Sequence, residues 1–146
     1  MILKLKYYKN NLNNSMSYKI AEAGDIKEGS YIIIDDVPCR VVEVEKSKTG
    51  KHGSAKVRIV GISLLDGSKK VLTTPSDSQV NIPIIEKKYA QVFNVLPDKV
   101  QLMDLNTYEF FEVAIPESKE IAGKLAQGVE VEIWDIMGHK IIARVK

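Results

Sequence analysis

Residues 41–62 read Val41-Val-Glu-Val-Glu-Lys-Ser-Lys-Thr-Gly-Lys-His-Gly-Ser-Ala-Lys-Val-Arg-Ile-Val-Gly-Ile62. Two runs rich in β-branched residues enclose a basic stretch that contains Gly50 and Gly53. β-Branched side chains lose χ1 freedom in a helix and pack well on a pleated surface, so each run reads as a strand. A glycine-containing break between two strands reads as a hairpin, and the segment 46–56 becomes its exposed tip. Glycines on both sides of Lys51-His52 permit positive φ and remove the Cβ atoms that would block close approach, so the Lys51 side chain projects from a thin support.

The same pattern extends in both directions. Upstream, Tyr31-Ile-Ile-Ile34, then Asp35-Asp36, then Pro38 and the run from Val41 read as strand, turn, strand. Downstream, Asp66-Gly67 marks a turn before Lys70-Val-Leu-Thr73, and short strands continue to Val80. Closely spaced strands without a helical period predict a small antiparallel barrel or sandwich over residues 16–83. Pro83 cannot donate to a central ladder and Glu86-Lys87-Lys88 is a charged patch, which places a linker at 84–88.

Residues 89–146 read as a second module. Tyr89–Val95, Val100–Asp104 and Tyr108–Ala114 are three strands separated by turns at Pro97-Asp98 and Asn106-Thr107. A short helix follows from Pro116, with Glu117 and Glu120 early, Ile121 and Leu125 one turn apart, and Gly128 as its stop. Val129–Ile133 and Ile141–Val145 complete the set around a Gly138-His139 turn. Five strands with one helix between the third and fourth suit an OB-type barrel, with other five-stranded barrels open on this pattern alone. Trp134 and Tyr108 are expected as core packing ahead of stacking platforms, and His139 as a turn residue without a role.

The chain has 146 residues with 45% hydrophobic and 27% charged content, a globular composition. Cys39 is the one cysteine, so no internal disulfide forms and a reducing cytoplasm is the default; it is expected as a small buried residue in a strand. No apolar run approaches the roughly 20 residues needed to span a bilayer, so no membrane partner is expected. Residues 1–15 mix three lysines with asparagines and lack the apolar core of a signal peptide; they are expected as a disordered extension. Net charge is only +2, yet Lys46, Lys48, Lys51, Lys56 and Arg58 fall together with no acidic residue among them. The chain outside that segment and the first fifteen residues carries −6. A mildly acidic body thus presents one basic segment that can steer an anionic partner.

Gly50-Lys51 invites comparison with a phosphate-binding P-loop, which fails twice. Glu45 stands where that motif needs glycine, and His52 where it needs Ser or Thr. The segment also joins two strands, whereas a P-loop opens a helix. A Schiff-base lysine is disfavoured because an exposed tip lacks the desolvation that lowers an amine's pKa, and no carboxylate accompanies it. His52 reads as an exposed loop histidine ahead of a ligand contact. On composition alone, the segment is a solvated lysine-rich hairpin.

The string Ser47-Lys-Thr-Gly-Lys-His-Gly-Ser-Ala-Lys56 resembles the modification loop of the translation factor 5A family, the archaeal form in particular. The resemblance continues through Gly29-Ser-Tyr-Ile32, Pro38-Cys-Arg-Val-Val-Glu43, Val60-Gly-Ile62, Val80-Asn-Ile-Pro-Ile-Ile-Glu86 and Gln101-Leu-Met-Asp-Leu105, and covers nearly everything from Met16 onward. It implies an all-β chain with an SH3-like barrel followed by an OB-fold domain, and no enzymatic activity. It implies that Lys51 receives an aminobutyl group from spermidine through deoxyhypusine synthase, as deoxyhypusine or, after hydroxylation, hypusine. Lys48, Thr49, Gly50, His52 and Gly53 would support that modification, and no cofactor would be bound. The implied partner is the ribosome near its exit site, where the modified lysine reaches the acceptor end of peptidyl-tRNA, relieves stalling at proline-rich stretches and assists termination. Lys46, Lys48, Lys56 and Arg58 are expected to touch rRNA phosphates without reading sequence, and no sequence-specific DNA binding is expected. The alternative is a general RNA-binding or RNA-chaperone protein whose unmodified hairpin clamps phosphate. Residues 84–146 carry eight basic and ten acidic side chains, so the second module is expected to meet the ribosome by shape more than by charge.

Overall fold

The computed structural model describes residues 18–48 and 55–146. The chain divides between Ile84 and Ile85 into two units, each built on one antiparallel sheet. In the first unit, β1 (Tyr18–Glu22) leads through a short 3-10 turn to β2 (Tyr31–Ile34), β3 (Val37–Lys48), β4 (Ala55–Ser63), β5 (Lys69–Pro75) and β6 (Gln79–Pro83). The sheet order is β1-β6-β2-β3-β4-β5, curled into an SH3-like half-barrel. Its core collects Ile32, Ile34, Val41, Val57 and Ile59, with Cys39 fully buried among them as expected. Burial raises the Cys39 thiol's pKa.

Two local features set the course of β3. The Asp35-Asp36 turn has both residues at positive φ, 52° and 62°, which matches the right-handed twist of the strands it joins. Further on, the β3–β4 register shifts between Val41 and Glu43, a bulge opposite Gly61. Gly61 is small by necessity. A Cβ there would lie 2.8 Å from Cβ of Cys39 and 3.3 Å from Cδ1 of Ile34.

The second unit comprises β7 (Ile85–Val95), β8 (Lys99–Asp104), β9 (Phe110–Ala114), α1 (Lys119–Lys124), β10 (Glu130–Ile136) and β11 (His139–Val145). Its order β11-β10-β7-β8-β9, with β9 touching β11, is that of an OB-fold barrel. Alternation in β8 puts Val100, Leu102 and Asp104 inside. The segment 84–88, expected as a linker, lies almost entirely within β7. Lys87 and Lys88 pair with Trp134 and Ile133 of β10, so the charged patch occupies strand positions, exposed at Glu86 and Lys87 and half-buried at Lys88.

Three further boundaries differ from the sequence reading. The helix begins at Lys119, not Pro116, because the Ser118 hydroxyl accepts the Ile121 N–H and defines the N-cap there. The last hairpin turns at Met137-Gly138, one residue earlier than expected, with His139 already in β11. Tyr108 belongs to the loop before β9 and not to the core: it is 69% exposed at φ 62°.

The loop holding Tyr108 is organised by Asp104. Its Oδ1 accepts the N–H groups of Asn106 (2.7 Å) and Thr107 (3.1 Å), and its backbone carbonyl accepts that of Tyr108 (2.8 Å). The Asn106 hydrogen bond holds the carboxyl below its ordinary pKa, against an opposing contribution from burial.

Two measurements check this packing. Gly61→Ala is expected to cost about 1–3 kcal/mol in urea unfolding, since the clash falls on two buried side chains, Cys39 at its Cβ and Ile34. Gly123→Ala in α1, with open space around the new methyl, is expected to be neutral or to stabilise by up to ~1 kcal/mol. Because the folded pKa of Asp104 is depressed, its contribution to stability is present above the ordinary carboxylate range and lost as pH falls through the folded value. Asp104→Asn is therefore expected to lower the urea midpoint at neutral pH, with the gap to the parent protein narrowing in acid.

Candidate functional site: the β3–β4 arm

The basic segment is held by the longest ladder in the first unit, in which β3 and β4 pair from Cys39↔Ser63 out to Lys48↔Ala55. Thr49, Gly50, Lys51, His52 and Gly53, with Ser54, lie outside the described residues; they join the two ends of this ladder. The arm has unequal flanks. β5 accompanies β4 out to Lys56, and Ser76 donates to the Ala55 carbonyl (2.8 Å). β2 leaves β3 after Arg40, so among the described residues the outer part of β3 is a sheet edge. Glu43, Glu45, Lys46 and Lys48 on that edge discourage another strand from adding to it.

Register assigns the cations to faces. Paired residues project on the same side of an antiparallel sheet. Lys46 is opposite Val57 and Lys48 opposite Ala55, on the side that carries the core. Val57 is fully buried while both lysines are exposed, so the arm runs out past the end of the core here. Lys56 is opposite Ser47 and Arg58 opposite Glu45, on the other side.

Arg58 is already engaged. Its guanidinium lies 2.9 Å from Glu43 and 3.9 Å from Glu45. The segment 46–58 holds no acidic residue, but the pairing brings these two carboxylates across from it. On that face the arginine is neutralised and only Lys56 adds to the field, while Lys46 and Lys48 stand on the other face. The described basic surface thus consists of three exposed lysines flanking the loop, with Arg58 bracing the strands behind them. Exposed pairs of this kind are worth ~0–1 kcal/mol, so their effect is on geometry more than stability.

In the second unit, Trp134 is half-buried on β10. Its Nε1–H donates to Glu132 (2.8 Å), a buried carboxylate that also accepts from Arg144 (3.2 Å). The Trp134 hydrogen bond is the main cause of the lowered Glu132 pKa. Trp134, expected in the core, lies half-buried outside the core cluster, held by this hydrogen bond. The sequence reading missed an aromatic group on the outer surface, Phe93 and Phe110, which are 53% and 64% exposed. Alternation from the buried Ala90 and Val92 points Phe93 outward, and the register shift between Val92 and Asn94 leaves Asn94 and Val95 exposed beside it. Among the described residues no cluster of His, Cys, Asp or Glu is arranged to hold a metal ion, and no helix is long and apolar enough to cross a membrane.

Comparison with known proteins agrees with this geometry. A family model described as "Translation initiation factor 5A-like, N-terminal" matches residues 17–78, and one described as "Eukaryotic elongation factor 5A hypusine, DNA-binding OB fold" matches residues 84–146. The chain is 59% identical over 134 residues to translation initiation factor 5A of Caldivirga maquilingensis, covering 90% of this chain and 100% of that protein. It is 56% identical over 131 residues to the Thermofilum pendens protein of the same name, covering 90% and 99%. Among solved structures, eukaryotic translation initiation factor 5A from Methanococcus jannaschii superposes with a TM-score of 0.79 at 43% identity, covering 88% of this chain and 95% of that one. A translation initiation factor 5A family protein from Naegleria fowleri gives 0.70 at 30% identity, covering 88% and 98%. With both units matched and near-complete coverage of its relatives, the chain belongs to the translation factor 5A family.

Proposed function

We propose that this protein is a non-enzymatic cytoplasmic translation factor that binds the ribosome near the exit site and places a hypusine or deoxyhypusine at position 51 beside peptidyl-tRNA. The observation that carries the reading is the pairing of β3 and β4 out to Lys48↔Ala55, with β5 alongside β4 to Lys56, which makes an arm with exposed lysines whose ends residues 49–54 join. An aminobutyl extension keeps one cationic nitrogen and adds another further out, so hydrogen-bond donors reach an RNA cleft too narrow for backbone. The arm positions and does not react. Proline is a poor participant in peptide-bond formation, and holding the acceptor end in a near-attack geometry recovers rate. The same placement would assist termination. Residues 16–83 would present the loop to deoxyhypusine synthase and then to the ribosome, and residues 89–146 would dock mainly by shape.

In this scheme Lys46, Lys48 and Lys56 contact rRNA phosphates, while Arg58 serves chiefly to hold the strands through Glu43. Removing any one of the three lysines is expected to reduce the salt slope of ribosome binding by about 0.7–0.9 units, and Arg58→Ala by clearly less. Equal slopes for all four variants would contradict the division between them. Lys51→Arg is the functional test. It keeps a cation but blocks the extension, and it is expected to abolish rescue of proline-rich messages in reconstituted translation. If rescue survives that change and fails on loss of the flanking lysines, the protein is a phosphate clamp acting without modification.

A further inference from the structure

The outer surface of β7, β8 and β9 holds a groove of about 310 Å³ lined by Phe93, Gln101, Phe110, Phe111 and Glu112. Register puts Gln101 opposite Glu112 and Met103 opposite Phe110, on the side away from Leu102. Phe93 and Phe110 meet edge to face with centroids 5.3 Å apart, although both are more than half exposed. Aromatic pairs of this kind normally bury their area, and two large exposed rings beside a concavity mark a contact surface.

Three of the unit's other four aromatic rings already pair with a cation. Lys87 stands over Trp134 at 5.7 Å, Lys140 over Phe111 at 5.0 Å and Lys146 over Tyr89 at 4.7 Å. Among the described residues no cation stands over Phe93 or Phe110. The groove wall supplies the matching charge in Glu112, whose carboxylate accepts from Gln101 (2.9 Å) and lies 3.2 Å from Lys99. Glu109 is exposed just before Phe110. Residues 85–146 carry eight basic and ten acidic side chains, a balance that repels a phosphate backbone and favours a cationic partner.

We propose that this groove binds an arginine side chain on a basic segment of a partner protein, the guanidinium lying against Phe93 and Phe110 and pairing with Glu112. Arginine fits better than lysine because its planar, weakly hydrated group stacks on a ring face while its fork engages a carboxylate. Lys99 holds Glu112 only through an exposed pair, which an incoming bidentate guanidinium displaces at little cost. The site is independent of the chemistry at Lys51 and stands or falls apart from it.

The test is NMR titration of the full chain, uniformly labelled with nitrogen-15, with hexa-arginine, hexa-lysine and hexa-uridylate in turn at physiological salt. Hexa-arginine is expected to shift the amide signals of Phe93, Gln101, Phe110 and Glu112 and to bind about tenfold more tightly than hexa-lysine. The exposed-residue change Phe93→Ala with Phe110→Ala should weaken hexa-arginine about tenfold, and Glu112→Gln, which leaves both rings in place, should weaken it severalfold. Four results overturn the proposal: absence of hexa-arginine binding, equal affinity for both peptides with no effect of these substitutions, shifts of the same signals by hexa-uridylate alone, or shifts on concentrating the protein without ligand.

Discussion

The antiparallel pairing of β3 with β4 is the constraint on which the rest depends. A loop that must deliver one side chain to a distant partner needs a support that is narrow, stiff and anchored in a core. The ladder supplies this by beginning between buried residues, Cys39 and Ser63, and ending between Lys48 and the half-buried Ala55. The inner end is rigid because Gly61 lets the two strands close at the bulge without a Cβ in the way of Cys39. Toward the outer end the large buried apolar side chains stop at Val57, and beyond it the arm is mostly charged and exposed, Ala55 apart. Along its length the arm thus changes from a packing element to an electrostatic one.

Charge is divided unequally between the units. The first concentrates lysines around the loop and sets Arg58 against Glu43 and Glu45, so the field is strongest near residues 49–54 and is cancelled behind them. The second carries more carboxylates than cations and uses several of its lysines internally, over aromatic rings and in ion pairs with Asp135, Glu112 and Glu130. In the proposed scheme an anionic partner is drawn to the first unit. The second would then contribute through shape, apolar area and the proposed cation site.

Much of this was legible in the chain before any coordinates. The β-branched runs on either side of the basic segment gave the arm, and the five strands with one helix gave the second barrel, because period-2 burial is written directly into residue type. Boundaries were less legible where a single side chain decides them: Ser118 shortens the helix by capping it, and the pairing of Lys87 and Lys88 with β10 turns a charged patch into strand. The pairing of Arg58 with Glu43 could not be read, since it spans fifteen residues and depends on the bulge that sets the register. Tyr108 and Phe93 were misjudged or missed for different reasons. Tyr108 takes a left-handed loop position that breaks the strand pattern, while Phe93 keeps the alternation and is a large ring on the outward side, where residue type alone favours a core.

The central claim concerns the chemistry of one amine, so the most direct measurement is the mass of the protein purified from its native host, with fragmentation to locate any addition. The account predicts a spermidine-derived aminobutyl extension, with or without a hydroxyl, on Lys51 and on no other lysine of the arm. Native protein carrying an unaltered lysine at that position would contradict it.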